Sequence, residues 1–499
     1  MSGDIKKLAS QTFVYGIPTI IGRFLNYFLV PLYTYNIATQ DYGIVAELYA
    51  YISFLMIILT YGMETAFFRF SQDYDKSKVY NTALFSLMFS TALFFIITFS
   101  SLSPIASAMD YSNHKIYIAL FIIILSLDAL RAIPYALLRR ENQAKRFALV
   151  KSVDIFSNII FNLFFIALCP ILYKKGFAFV CTWFNPNDLV LYIFISNCLA
   201  SFIALLMLLP QFLQFGFQID FKVLKKMLLY GFPVMIGGLA GMVNETFDRI
   251  ALKHLISVPD NIKDPSLIAD YKMSQIGIYG ACYKLSIVIS LFIQAFKFAA
   301  EPFFFSKMKQ NDAKKSYSEI MTIFVMFLCL IFLIVMGYMD VFQYFIGKDY
   351  RIGITVVPIL LLANIFLGIY YNLSIWYKVS DKTKYGAYIA LLGAVITLAG
   401  NYFFVPLIGY KGAALTTLIC YFSISLICYL LGQKYYPVSY KVKRISFYIL
   451  FAVGIYFLMY CLDTTVNNTL FRIIMNTLII CIYVFVCYYS DLRQLIKQK

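Results

Sequence analysis

The chain has 499 residues, 61% hydrophobic and 18% aromatic with only 13% charged, and a mean hydropathy of +0.77. Those proportions exclude a soluble globular domain and a disordered chain, and leave an integral membrane protein. The net charge of +17 does not point to nucleic acid, because the bases sit in short connections between apolar runs rather than in one patch.

Apolar runs long enough to cross a bilayer as helices recur along the whole chain, which predicts an all-α membrane protein with about fourteen spans. Their centres fall near residues 24, 55, 92, 126, 160, 200, 240, 288, 331, 366, 395, 422, 453 and 479. Span 1, VYGIPTIIGRFLNYFLVPLYTY (14–35), holds Arg23 and Asn26 at its middle. Span 2 carries Glu47 and Glu64 and ends at Arg69; span 4 carries Asp128 and Arg131, and span 5 Asp154. The segment 173–188 reads as an outer loop or a re-entrant piece. Span 7 contains Pro233, Glu245 and the Asp248-Arg249 pair; span 8 contains Lys284, Lys297 and Glu301. Bases are concentrated on the connections that share a side with the N-terminus, so a multi-pass membrane protein with both termini cytoplasmic is expected. Ten cysteines without a CxxC pair, and two histidines, predict neither a disulfide framework nor a metal site.

The opening stretch recurs. Tyr15-Gly16-Ile17-Pro18 through Gly22 aligns with Tyr230-Gly231-Phe232-Pro233 through Gly237, and Asn162-Leu163-Phe164-Phe165 aligns with Asn401-Tyr402-Phe403-Phe404. Spans 1–6 (1–215) and 7–12 (216–435) thus read as two lobes in parallel repeat, related by a pseudo-two-fold axis along the membrane normal, with two further helices in 436–499. Gly16, Pro18 and Gly22, with Gly231, Pro233 and Gly237, are the expected hinge, because an intramembrane proline removes a backbone bond and glycine permits close packing.

LASQTFVYG, FLVPLYT, DYGIVAELY and YGMETAFFRFSQ, followed in the second half by IGIYGACYKLS and AFKFAAEPFFF, resemble the bacterial polysaccharide-export proteins, the O-antigen and capsule flippases of the Wzx type. These share a superfamily with the lipid II flippase and the multidrug and toxin extrusion antiporters. The resemblance implies a substrate of undecaprenyl-pyrophosphate-linked oligosaccharide, turned from the inner to the outer leaflet, with membrane lipids and other polysaccharide-assembly proteins as partners. It also implies cationic cavity residues: Gly22-Arg23 resembles a serine-arginine pair in helix 1 of the lipid II flippase. A further arginine of that relative is replaced here by an apolar residue near Leu29.

A charge at the bilayer centre costs from about 2.5 to more than 10 kcal/mol, so it faces protein or a wet cavity. Arg23 reads as a pyrophosphate dock or as the ion-pair partner of an acid such as Glu47. Asn26 reads as a sugar contact or a helix-to-helix bond; Tyr15, Tyr27 and Tyr283 are candidate sugar contacts. Lys284 faces the cavity or snorkels outward, whereas Lys297 snorkels, pairs with Glu301, or joins the substrate site. Arg131 binds substrate or is neutralised by Asp128, three residues before it. The absence of a GxxxxGK[ST] motif leaves H⁺ or Na⁺ coupling as the energy source for active transport, with Glu47, Glu64, Asp128, Asp154, Glu245, Asp248 and Glu301 as candidates and no other cofactor expected. Two other functions stay open: an ion-coupled multidrug exporter on the same architecture, and a glycosyltransferase or polymerase, for which the DxD triplet Asp73-Tyr74-Asp75 is the one motif. Without a nucleotide-binding domain beside that triplet, no catalytic residue is expected.

Overall fold

The computed structural model describes residues 22, 24–216, 218–307, 313–380 and 382–492. Tyr15, Gly16, Pro18 and Arg23 lie outside them, as does the side chain of Glu301. Among the described residues the architecture is all-α, and 13 helices are long and apolar enough to cross a membrane. The expected span centred on residue 24 is the one missing from that set, since residues 14–21 and Arg23 lie outside the described residues.

The chain divides into two compact units, Met1–His254 with Val258–Gly277, and Leu255–Ser257 with Ile278–Lys499. The first contains α1 (Leu29–Asn36), α2 (Thr39–Thr60), α3 (Met63–Phe70), α4 (Lys76–Ser100), α5 (Lys115–Arg140), α6 (Ala144–Asn162), α7 (Leu189–Met207), almost all of α8 (Phe221–Leu255) and the start of α9 (Pro265–Lys307). Capping side chains fix two of these starts: Asp75 accepts from the Lys78 amide at 2.9 Å, and Asp188 from the Leu191 amide at 3.2 Å. The opening turns of α8 join the core of this unit, where Val223 and Met227 pack with Phe67, Leu84 and Ile133.

Span 2 is broken where the sequence shows no proline. Tyr61 (φ 33°) and Gly62 (φ 71°) are both left-handed and separate α2 from α3. Gly62 is required twice over: its φ suits glycine, and a Cβ there would lie 2.5 Å from the Gly231 carbonyl oxygen. The expected hinge residue Gly231 therefore packs backbone to backbone against this break, while α8 continues unbroken through Pro233.

The second unit is built on α10 (Ala313–Gly337), α11 (Val357–Leu373), α12 (Lys384–Ile408) and α13 (Tyr410–Tyr435), together with the rest of α9. Trp376 is buried and donates to the Cys428 carbonyl at 3.1 Å. The last pair, α14 (Val442–Thr465) and α15 (Thr469–Cys487), is held to α10 and the turn after it by polar ties: Tyr483 donates to the Met326 carbonyl at 3.1 Å, Asn476 to the Gly337 carbonyl at 3.0 Å, and Arg472 pairs with Asp340 at 2.9 Å. In each unit the asparagine that opens the second repeated motif is fully buried and donates to the carbonyl four residues earlier, Asn162 to Asn158 and Asn401 to Thr397, both at 2.8 Å.

Candidate functional site

Two charge clusters are buried among the membrane-crossing helices of the first unit. The larger is centred on Arg131, whose side chain is 7% exposed on α5. Its guanidinium pairs with Asp128 one turn earlier and with Asp154 of α6 at 3.1 Å, and donates to Ser201 of α7 at 3.2 Å. Ser201 in turn donates to Asp128 at 2.8 Å, closing a ring across three helices. Lys151, one turn before Asp154, stands 4.3 Å from the Tyr135 ring centroid. Arg131 is nine residues from the end of α5, roughly 13 Å at the helical rise, so the cluster is sunk below that surface rather than marking it. The expected pairing of Asp128 with Arg131 is present; that Asp154 and Ser201 complete it depends on the packing of α6 and α7, which residue spacing does not reveal.

The second cluster surrounds Glu47, which is fully buried on α2. Lys253, near the end of α8, lies 3.0 Å from one carboxylate oxygen, and Tyr111 donates to the other at 2.5 Å. Lys253 also donates to the Met109 carbonyl at 2.6 Å and faces Asp110 at 3.5 Å. Burial first, then the Glu47 charge, holds the Tyr111 hydroxyl well above the ordinary phenol range, so it stays protonated and donates. Beside this cluster α2 and α9 touch through their backbones. A Cβ at Gly43 would lie 1.9 Å from the Met273 oxygen and one at Gly277 1.9 Å from the Thr39 oxygen, while the Thr39 and Ser274 hydroxyls bond at 2.7 Å. Glu47, offered from sequence as a partner of Arg23, has Lys253 as a partner; Arg23 lies outside the described residues.

The other expected residues are distributed as follows. Glu64 pairs with Arg139, which also lies over the Phe68 ring at 4.8 Å. Asp248 and Arg249 do pair, at 2.9 Å, but as a buried pair rather than a surface one, with side chains 5% and 11% exposed. Glu245 and Asn26 are exposed, and Gly22 packs on Ile155. Gly237 lies within α8. In the second unit Lys284 is half-buried on α9, and Lys297 lies over the Tyr371 ring at 4.9 Å, in a small recess with Asn372 and Lys378. Among the described residues, both amide atoms of buried Asn372 lack a hydrogen-bond partner there. The DxD triplet has structural work: Asp73 pairs with Arg69 at 2.6 Å, Asp75 caps α4, and the Tyr74 hydroxyl accepts from Lys226 at 2.8 Å. Lys253, Lys151, Tyr111 and Ser201 escaped the sequence reading. Lys151 alone left a usable signal, lying three residues from Asp154 inside an apolar run.

Helices long and apolar enough to cross a membrane, enclosing paired charges across several spans, define a multi-pass membrane protein. The chain matches the family model described as "Polysaccharide biosynthesis protein" over residues 8–309, and it belongs to that family. Among solved structures it is similar to the lipid II flippase MurJ in an inward closed conformation, with a TM-score of 0.72 and 17% identity, over 97% of this chain and 100% of that one. It is also similar to an inward-facing multidrug resistance MATE family transporter of the MOP superfamily, with a TM-score of 0.60 and 14% identity over 88% and 98% of the two chains. A MATE structure in complex with MaD3S gives 0.58 and 12% over 88% and 96%. No curated protein sequence matches the chain.

Proposed function

We propose that this protein turns an undecaprenyl-pyrophosphate-linked oligosaccharide from the cytoplasmic to the outer leaflet of the bacterial inner membrane by alternating access, for polysaccharide assembly. The observation that carries the reading is membership of a polysaccharide biosynthesis family on a fold shared with a lipid flippase. Intramembrane cations supply the chemistry: Arg23, Lys284 and Lys297 are the docking groups for the pyrophosphate, and Asn26 serves the sugar. Arg131 is already matched by two carboxylates, so it contributes only when one of them is neutralised. Asp128 and Asp154 are accordingly the favoured sites of H⁺ or Na⁺ coupling, and the ring they form with Arg131 and Ser201 is the element a bound ion would reset. The two sequence lobes move about Gly16, Pro18 and Gly22 in one and Gly231, Pro233 and Gly237 in the other.

The test is a bacterial strain depleted of its own flippase, in which lipid-linked oligosaccharide is assayed in each leaflet. The wild-type chain should restore the outer-leaflet pool, and Arg23→Ala should leave it inside. Equal restoration by both would remove the pyrophosphate role of Arg23. A second reading, an ion-coupled exporter of drugs, rests on the MATE-like fold. It predicts drug resistance conferred by the wild-type chain with no change in the glycan pools.

A further inference from the structure

A second feature of α8 is independent of the substrate. Along its opening turns runs a groove of about 750 Å³, within the roughly 300–1,000 Å³ range of small-molecule sites. Phe221, Lys225, Leu228 and Phe232 recur at intervals of four, three and four residues, so they share one helix face. The far end of the groove is closed by Pro233, and Tyr61 contributes from the break between α2 and α3. The lining is apolar except at one end. There Lys225 is exposed and, among the described residues, has no carboxylate partner. Its neighbours are committed elsewhere: Asp220 is paired with Lys78 at 2.9 Å, and Lys226 donates to Tyr74.

A lysine with no carboxylate partner among the described residues, at the mouth of an apolar groove, complements an anionic head carrying a hydrocarbon chain. The dimensions agree. Lys225 lies four residues into α8, at the level where a span leaves the bilayer, and Pro233 lies about 12 Å further along the helix, within one leaflet. We propose that this groove binds one anionic phospholipid of the surrounding bilayer, with its phosphate at Lys225 and an acyl chain along Leu228 and Phe232 as far as Pro233. The chain would lie against the left-handed Tyr61-Gly62 pair and the segment of α8 that packs on it, so occupancy braces the break in span 2. The proposal goes beyond the transport reading and stands whichever substrate is carried.

The test uses the full-length protein with Phe232→Trp, reconstituted in vesicles containing acyl-brominated phosphatidylglycerol or acyl-brominated phosphatidylcholine. The parent chain corrects for Trp183 and Trp376. Half-maximal quenching of the added indole is expected at a several-fold lower mole fraction of the anionic lipid. The preference should disappear when Lys225→Gln is added and survive Lys225→Arg. Equal quenching by the two lipids, or an anionic preference that persists in Lys225→Gln, would overturn the assignment.

Discussion

Replacing Lys253 with methionine keeps most of the side chain's length and removes one charge from the Glu47 cluster. At 3.0 Å and an effective dielectric of about 20 the pair is worth about 5 kcal/mol in Coulomb energy. Desolvation of both groups offsets much of that, because Glu47 is fully buried and the Lys253 side chain is 5% exposed. The single variant is nevertheless expected to lose about 3–5 kcal/mol, since it strands a buried carboxylate on Tyr111 alone. In the double variant Glu47→Gln/Lys253→Met no charge remains to be stranded, and its stability should return to within about 1 kcal/mol of wild type. Equilibrium unfolding of the four proteins in one detergent gives the coupling energy. Additivity of the two single changes to within about 0.5 kcal/mol would refute the claim that the pair acts as a unit.

Three further outcomes follow from the geometry. Thr39→Cys/Ser274→Cys should oxidise readily, because the native hydroxyls are 2.7 Å apart; the crosslinked protein should stop delivering glycan to the outer leaflet and recover on reduction. Gly231→Ala sets a methyl group 2.6 Å from the Tyr61 carbonyl oxygen and should cost about 1–3 kcal/mol, read as a lower thermal midpoint. The hydrogen bond from Lys78 holds the exposed Asp220 carboxyl below its ordinary range. Its contribution is therefore present above a pH of about 3.9 and is lost as the pH falls through the lower folded value. The stability gap between wild type and Asp220→Asn should close over that acid interval.

The spans were legible because the bilayer imposes a length and a composition on every crossing segment, and both can be read one residue at a time. The break at Tyr61-Gly62 was not, since its local mark is a single glycine, and the carbonyl from α8 that leaves no room for a side chain there lies far along the chain. Pro233 sits inside an unbroken helix, and the interruption lies in the helix packed on it.

The charge clusters divide on the same line. Asp128 and Arg131 are three residues apart on one helix, so their pairing follows from helical spacing. Glu47 and Lys253 belong to helices in different sequence repeats, and Lys253 lies near the end of its span, where a lysine ordinarily marks the membrane boundary. Only burial separates it from such a marker. An ion pair between the end of α8 and a residue eight positions into α2, beside a glycine contact that brings α2 and α9 backbone to backbone, contributes most where these segments stay together. Any state in which these segments part must first break this pair and expose Glu47. The cost of opening is thus set by this pair and by the Gly43–Gly277 contact together, and not by proline kinks alone.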